Sequence, residues 1–217
     1  MVKFFTNAAV YVMAFFAVSI SLYALSYYVI TMQGFLSSKG NLVSTFYWHT
    51  AFYTHVGSGS VALGIGWLQF LPKFRARNIN RHRIIGKIYA IAILAFASTS
   101  GMVLAFNANE GLPAKLGFGC LAFAWFYTTL QAWLTIIKGN VLQHRTWVTR
   151  SYALTLAAVT LRIWLPLSAI AGLSFHQAYA AISWFCWVPN LLVAEWFVIP
   201  AVTKKFITNA KAAGVFG

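Results

Sequence analysis

Long apolar runs alternate with short polar connections along the chain. The runs cover residues 8–31, 46–71, 83–106, 114–137, 146–171 and 178–200, and glycines, prolines or polar clusters separate them. Each run reaches the roughly 20 residues a helix needs to cross the hydrocarbon, where backbone groups must be satisfied within their own segment. The pattern predicts an all-α fold, an integral membrane bundle of six transmembrane helices in one domain over residues 1–217. The connections are too short to hold a soluble domain. The first run is too long for the apolar stretch of a signal peptide and has no small-residue cleavage site, so it reads as a retained anchor.

Composition narrows the class further. Of 217 residues, 60% are hydrophobic and 8% charged, which excludes an ordinary soluble domain. The net charge of +14 does not point to nucleic acid, because the basic residues sit in the connections. Lys3, the cluster Lys73, Arg75, Arg77, Arg81, Arg83 and Lys87, the trio Lys138, Arg145 and Arg150, and Lys204, Lys205 and Lys211 fall on one side. Lys39 and Lys115 fall on the other, and Arg162 lies inside the fifth run. Positive charge marks the cytoplasmic face, so both termini are expected inside, N-in and C-in. Cys120 and Cys186 lie in apolar segments and suggest neither a disulfide nor a thiolate metal site.

A shift of 62 positions lays Leu68-Gln69 on Leu130-Gln131, Asn78 on Asn140 and His82-Arg83 on His144-Arg145. This predicts a parallel internal repeat, units 46–106 and 114–171, related by an axis along the membrane normal. The second to fifth runs would then form a four-helix core, with His82 and His144 at equal depth. Small and polar residues recur at helical spacing on each core helix: His55, Gly59, Ala62, Gly66 and Gln69 on the second, His144, Ser151, Thr155 and Arg162 on the fifth. In lipid such a face turns inward. Close helix packing and a bound flat cofactor explain these stripes equally well.

Two imidazoles on facing helices suit the axial positions of haem iron, with Arg83, Arg145 and Arg150 available to the propionates and Gln69 and Gln131 as hydrogen-bonding neighbours. The rival reading makes His82-Arg83 and His144-Arg145 interfacial anchors on lipid phosphates. In the outer half, His55 and Arg162 come to similar depth, about 13 Å below the surface at about 1.5 Å per residue. An intramembrane arginine marks a functional site, and an outer ligand such as a quinone is expected there. His49 and His176 are weaker candidates for that site. Glu195 is expected to pair with Arg150 or another inner base.

The set His55, Leu68-Gln69, His82-Arg83-x-x-Gly86-x-x-Tyr89 and His144-Arg145-x-Trp147-x-x-Arg150-Ser151-Tyr152 resembles an uncharacterised bacterial family of predicted multi-pass membrane proteins. That resemblance implies the bacterial cytoplasmic (inner) membrane and says little of chemistry. In architecture the chain is more distantly similar to the ascorbate-reducible transmembrane b-type cytochromes and ferric-reductase-like proteins. In those, third- and fifth-span histidines hold the cytoplasmic haem, which His82 and His144 match. The fourth span here has no histidine for a second haem. The leading expectation is a b-type haem protein, a possible membrane oxidoreductase, passing electrons between membrane quinol and a partner protein or small acceptor. The alternatives are a cofactor-free carrier for a small anionic or lipid-like ligand, and an accessory subunit of a membrane complex. The bilayer is the expected surrounding and nucleic acid is not a partner.

Overall fold

The computed structural model describes residues 2–30 and 34–212, and among these there are helices and no strand. Thr31, the last residue of the first expected span, lies outside the described residues. Six long helices follow one another: α1 (Val2–Leu25), α2 (Phe46–Gly66), α3 (Ile79–Phe106), α4 (Gly111–Ile137), α5 (Val141–Ile170) and α6 (Phe175–Thr208). Among the described residues five stretches are long and apolar enough to cross a membrane, beginning with Ala8–Tyr28, which runs one turn past α1, and continuing with α3 to α6. The 21-residue α2 is more polar, carrying His49, Thr50, Thr54, His55, Ser58 and Ser60. It packs against α1, α3 and the first half of α5, and its His55 Nδ1 reaches the Ala97 carbonyl of α3.

The basic end explains one of the coincidences at a spacing of 62. Asn78 stands just before α3, and its side chain accepts the backbone N–H of Arg81 at 3.0 Å. Asn140 stands just before α5 and accepts the N–H of Gln143 at 3.1 Å. Each asparagine satisfies a backbone donor that a helix start leaves unpaired. Both helices consequently begin earlier than the apolar pattern suggests. His82 and His144 fall within the first turns.

Three of the long helices are interrupted. α3 holds a π-helical stretch at Ala92–Ala97, and α6 holds one at Ala194–Val198. α5 breaks at Leu156, between Val141–Thr155 and Ala157–Ile170. α6 also breaks at Cys186-Trp187, before Pro189, which cannot donate to the preceding turn. The breaks in α5 and α6 are tied together. Asn190 Nδ2 donates to the Cys186 carbonyl and Thr160 Oγ1, both at 3.1 Å, and the Thr160 hydroxyl also donates to the Cys186 carbonyl.

The main core joins Ala62 of α2, Tyr89, Ile93 and Ala97 of α3, Trp125 of α4, Tyr152, Leu154 and Ala157 of α5, and Cys186 and Trp187 of α6. The expected four-helix core is thus joined by the middle of α6, because the break there turns Cys186 and Trp187 inward. Outward faces carry large apolar residues such as Phe15, Phe106, Phe123 and Trp196, as lipid contact demands.

α4 and α6 approach through Gly117, where an added Cβ would lie 3.0 Å from the backbone carbon of Ser183 and closer still to its side chain. Backbone cannot yield as a flexible side chain does. Gly117→Ala should lower the thermal unfolding midpoint of the purified protein, at a cost of about 1–3 kcal/mol for overpacking. An unchanged midpoint would contradict this packing.

Candidate functional site

A cavity of about 830 Å³ occupies the half of the bundle away from the basic connections, here termed the outer half, and all six long helices contribute to its wall. It reaches from Lys39 and Leu173 in the outer connections down to Leu63 in the last turn of α2 and Thr155 midway along α5. That is the size of a site for a small organic molecule. Eight aromatic side chains line the wall: Tyr23 of α1 and Tyr27 just beyond it, Trp48 and Phe52 of α2, Phe118 and Trp125 of α4, and Phe175 and Tyr179 of α6.

His55 and Arg162 line this one cavity. His55 Nδ1 lies 2.8 Å from the carbonyl of Ala97, the last residue of the π-helical stretch in α3. Gly101, one turn further along, makes room for the ring: a Cβ there would stand 3.0 Å from His55 Cε1 and Nδ1. Trp125 meets the ring edge-on, with centroids 6.5 Å apart. Arg162 donates from one terminal nitrogen to its own helix at the Ala158 carbonyl, 2.9 Å away, and its guanidinium lies 5.5 Å from the centre of the Tyr23 ring. Two other wall residues, Trp48 and Ser60, carry buried polar atoms without a hydrogen-bond partner.

Lys39 is the third basic group on the wall, and sequence reasoning missed it. Its Nζ donates to the Asn107 carbonyl at 2.6 Å and to Asn109 Oδ1 at 2.7 Å, which pins the connection after α1 to the one after α3. Burial first, then the neighbouring charge of Lys115, pushes its pKa below the ordinary lysine value. The available signal was its being, with Lys115, one of two cations in connections away from the basic clusters. Neither acid lines the cavity. Glu110 contacts His176 Nδ1 at 2.5 Å, and Glu195 holds Arg150 through two bonds of 2.5 and 3.0 Å. The walls therefore combine aromatic surface with basic groups and offer no carboxylate.

Below the cavity floor lies a buried knot of hydroxyls. Tyr89 OH is 2.8 Å from Ser151 Oγ and 2.9 Å from Thr155 Oγ1. Trp125 Nε1 donates to Thr155 Oγ1 at 2.9 Å, and Thr129 Oγ1 is 2.7 Å from Ser151 Oγ. Thr155 and Trp125 also line the cavity, so the knot fixes its floor.

The basic end gathers the other expected residues. His144 Nδ1 lies 2.8 Å from the Ala132 carbonyl. His144, Arg75, Arg145 and Arg83 are the charged groups within electrostatic reach of His82. His82 Nδ1 and Gln69 Nε2 are buried without partners, and Gln69 Oε1 would be 3.4 Å from a Cβ on Gly86. Arg145 lies over Phe206 and Arg150 over Trp147, while Gln131 is half-buried on α4. This donor set fits an axial imidazole pair in its chemistry. A carbonyl holds one nitrogen of His144, as axial histidines require, and guanidinium groups stand near for carboxylates. Among the described residues no group of three or more histidines, cysteines or carboxylates could hold a metal ion by itself. His49 is exposed, with its ring 4.6 Å from that of Tyr53, and it joins neither cluster. His176 is exposed at the outer surface.

Residues 52–198 match a family described as "Predicted membrane protein (DUF2306)". The chain belongs to this family. The matched stretch contains His55, both inner histidines and Arg162, and leaves out the whole of α1 and Lys39. No curated protein and no solved structure matches the chain.

Proposed function

We propose that this DUF2306 protein binds a membrane-soluble amphiphile of quinone type, with a flat apolar body and an oxygen-bearing head, in its outer cavity. The cavity itself carries this reading: aromatic walls, three basic residues and no acid. The aromatic surface takes up the body, worth about 25 cal/mol per Å² of apolar area removed from contact with water. Arg162 retains N–H groups that its own helix leaves unused, and these donate to oxygen on the head. Its guanidinium, planar and permanently charged, is suited to that task in a dry site. Arg162→Gln should weaken binding of a short-chain benzoquinone, in either redox form, at least about ten-fold, a change of about 1.4 kcal/mol. Calorimetric titration of the protein in lipid nanodiscs would measure this, with circular dichroism confirming the fold. Equal affinity of mutant and wild type would sink the reading.

A second reading gives the inner pair to haem b, and the His144–Ala132 contact favours it. Bound there, haem would be held by His82 and His144, with Arg83 and Arg145 available to its carboxylates, and would supply one-electron transfer. Arg150 is the weaker candidate, because Glu195 already holds it. Electron transfer between membrane quinol and a partner or small acceptor would then join the two ends of the molecule. An oxidised-minus-reduced optical spectrum of protein from its native membrane should show a low-spin b-type band that His82→Ala or His144→Ala removes. A colourless protein excludes this reading and leaves the outer site standing.

The distribution of Lys and Arg supports an orientation with both termini in the cytoplasm and the cavity facing outward, in a bacterial cytoplasmic membrane. A cysteine at Lys115 should react with an impermeant thiol reagent added to intact cells, and one at Lys138 should not. The reverse pattern would invert the topology and turn the cavity toward the cytoplasm.

A further inference from the structure

The hydrogen-bond polarity of the cavity wall carries more than its shape does. The Ala97 carbonyl can only accept, so His55 Nδ1, 2.8 Å from it, carries the proton. The charged groups that share the wall with His55 are Arg162 and Lys39, both cations. The two acids are engaged elsewhere, Glu110 with His176 and Glu195 with Arg150. Nothing in the cavity favours a second proton on the ring, and His55 is a neutral imidazole. Its Nε2 then holds a lone pair and no hydrogen. Among the described residues Nε2 has no hydrogen-bond partner, whereas Nδ1 is fixed by the carbonyl and by the room Gly101 leaves.

The wall thus offers an acceptor at His55 and donors at Arg162. A head with acceptor oxygens alone satisfies only the arginine. A head with an O–H group and an oxygen lone pair satisfies both. We infer that the ligand donates a hydroxyl to His55 Nε2, so the cavity selects a hydroquinone over the corresponding quinone. This rests on the cavity being the binding site for an amphiphile of that class. A quinone has two carbonyl oxygens and no donor, and it would offer Nε2 no hydrogen. A missing partner of that kind is what lets a polar site discriminate strongly between analogues of the same shape.

The test uses three probes with one ring and one short tail: the benzoquinone, its hydroquinone kept reduced, and the dimethyl ether of the hydroquinone. Each is titrated calorimetrically into the protein in lipid nanodiscs. The hydroquinone should bind about ten-fold or more tightly than the other two. In His55→Phe the three affinities should converge, while Arg162→Gln should weaken all three. Should His55→Phe fail to fold, ¹⁵N-histidine resonances of the wild type replace it. One unprotonated ring nitrogen should shift on adding hydroquinone and stay unmoved with the ether. Equal binding of hydroquinone and ether to the wild type would overturn the hydroxyl inference and leave the cavity reading intact. Binding of none of the three would overturn both.

Discussion

The Tyr89 hydroxyl, sealed among α3, α4 and α5, is the contact on which the rest of the bundle turns. Hydrocarbon offers no water to repair an unpaired donor, and leaving one buried costs about 1–3 kcal/mol. Tyr89, Ser151, Thr155 and Thr129 meet this constraint collectively. If each hydroxyl donates inward, the chain runs from Thr155 through Tyr89 and Ser151 to Thr129 and ends on the Trp125 carbonyl. Reversed, it ends on the Ser151 carbonyl. Both directions satisfy every member. The three helices are therefore locked by groups that stay paired whichever way their hydrogens point, and the indole N–H of Trp125 caps the arrangement at the cavity floor.

Above that floor the helices part, and the irregular backbone lies where function is expected. The π-helical stretch in α3 ends at Ala97, whose carbonyl orients His55. The one in α6 carries Glu195, which takes Arg150 in a two-bond grip. Single-turn π-bulges accompany functional sites often enough to suggest a shared cause. The inserted residue rephases the helix and aims a polar group that regular spacing would miss. Here one bulge serves the cavity and the other fastens α6 to the basic end.

Much of the helical architecture was legible because lipid imposes a coarse rule, long apolar runs for helices. The helix starts were less so. Asn78 and Asn140 act as caps, and a hydropathy pattern cannot register a single side chain bonding to one backbone N–H. The nearness in depth of His55 and Arg162 could be counted along helices. What could not be counted was that Trp125 and Gly101 shape the space around them, or that Lys39, remote in sequence, is folded onto the wall by Asn107 and Asn109. Stripes of small residues are ambiguous for a physical reason. Gly66 abuts Tyr152 and Tyr89, and Gly117 abuts Ser183, so both serve packing, whereas Gly101 makes space for a histidine. Only the neighbour distinguishes them.

The two ends of the molecule differ in how their polar groups are satisfied, and this bears on which end does chemistry. At the basic end His82 Nδ1 and Gln69 Nε2 are buried without partners, while His144 is already held through Nδ1. In the outer cavity the protein supplies a carbonyl for His55 and a ring beside Arg162, and His55 Nε2 has no partner among the described residues. Orienting a group through one atom while sparing the other is the arrangement a preorganised site requires. His55 and His144 share it, each with Nδ1 on a main-chain carbonyl of a neighbouring helix. The outer histidine adds a formed cavity to that orientation, and for this reason the outer site carries the functional reading ahead of the inner pair.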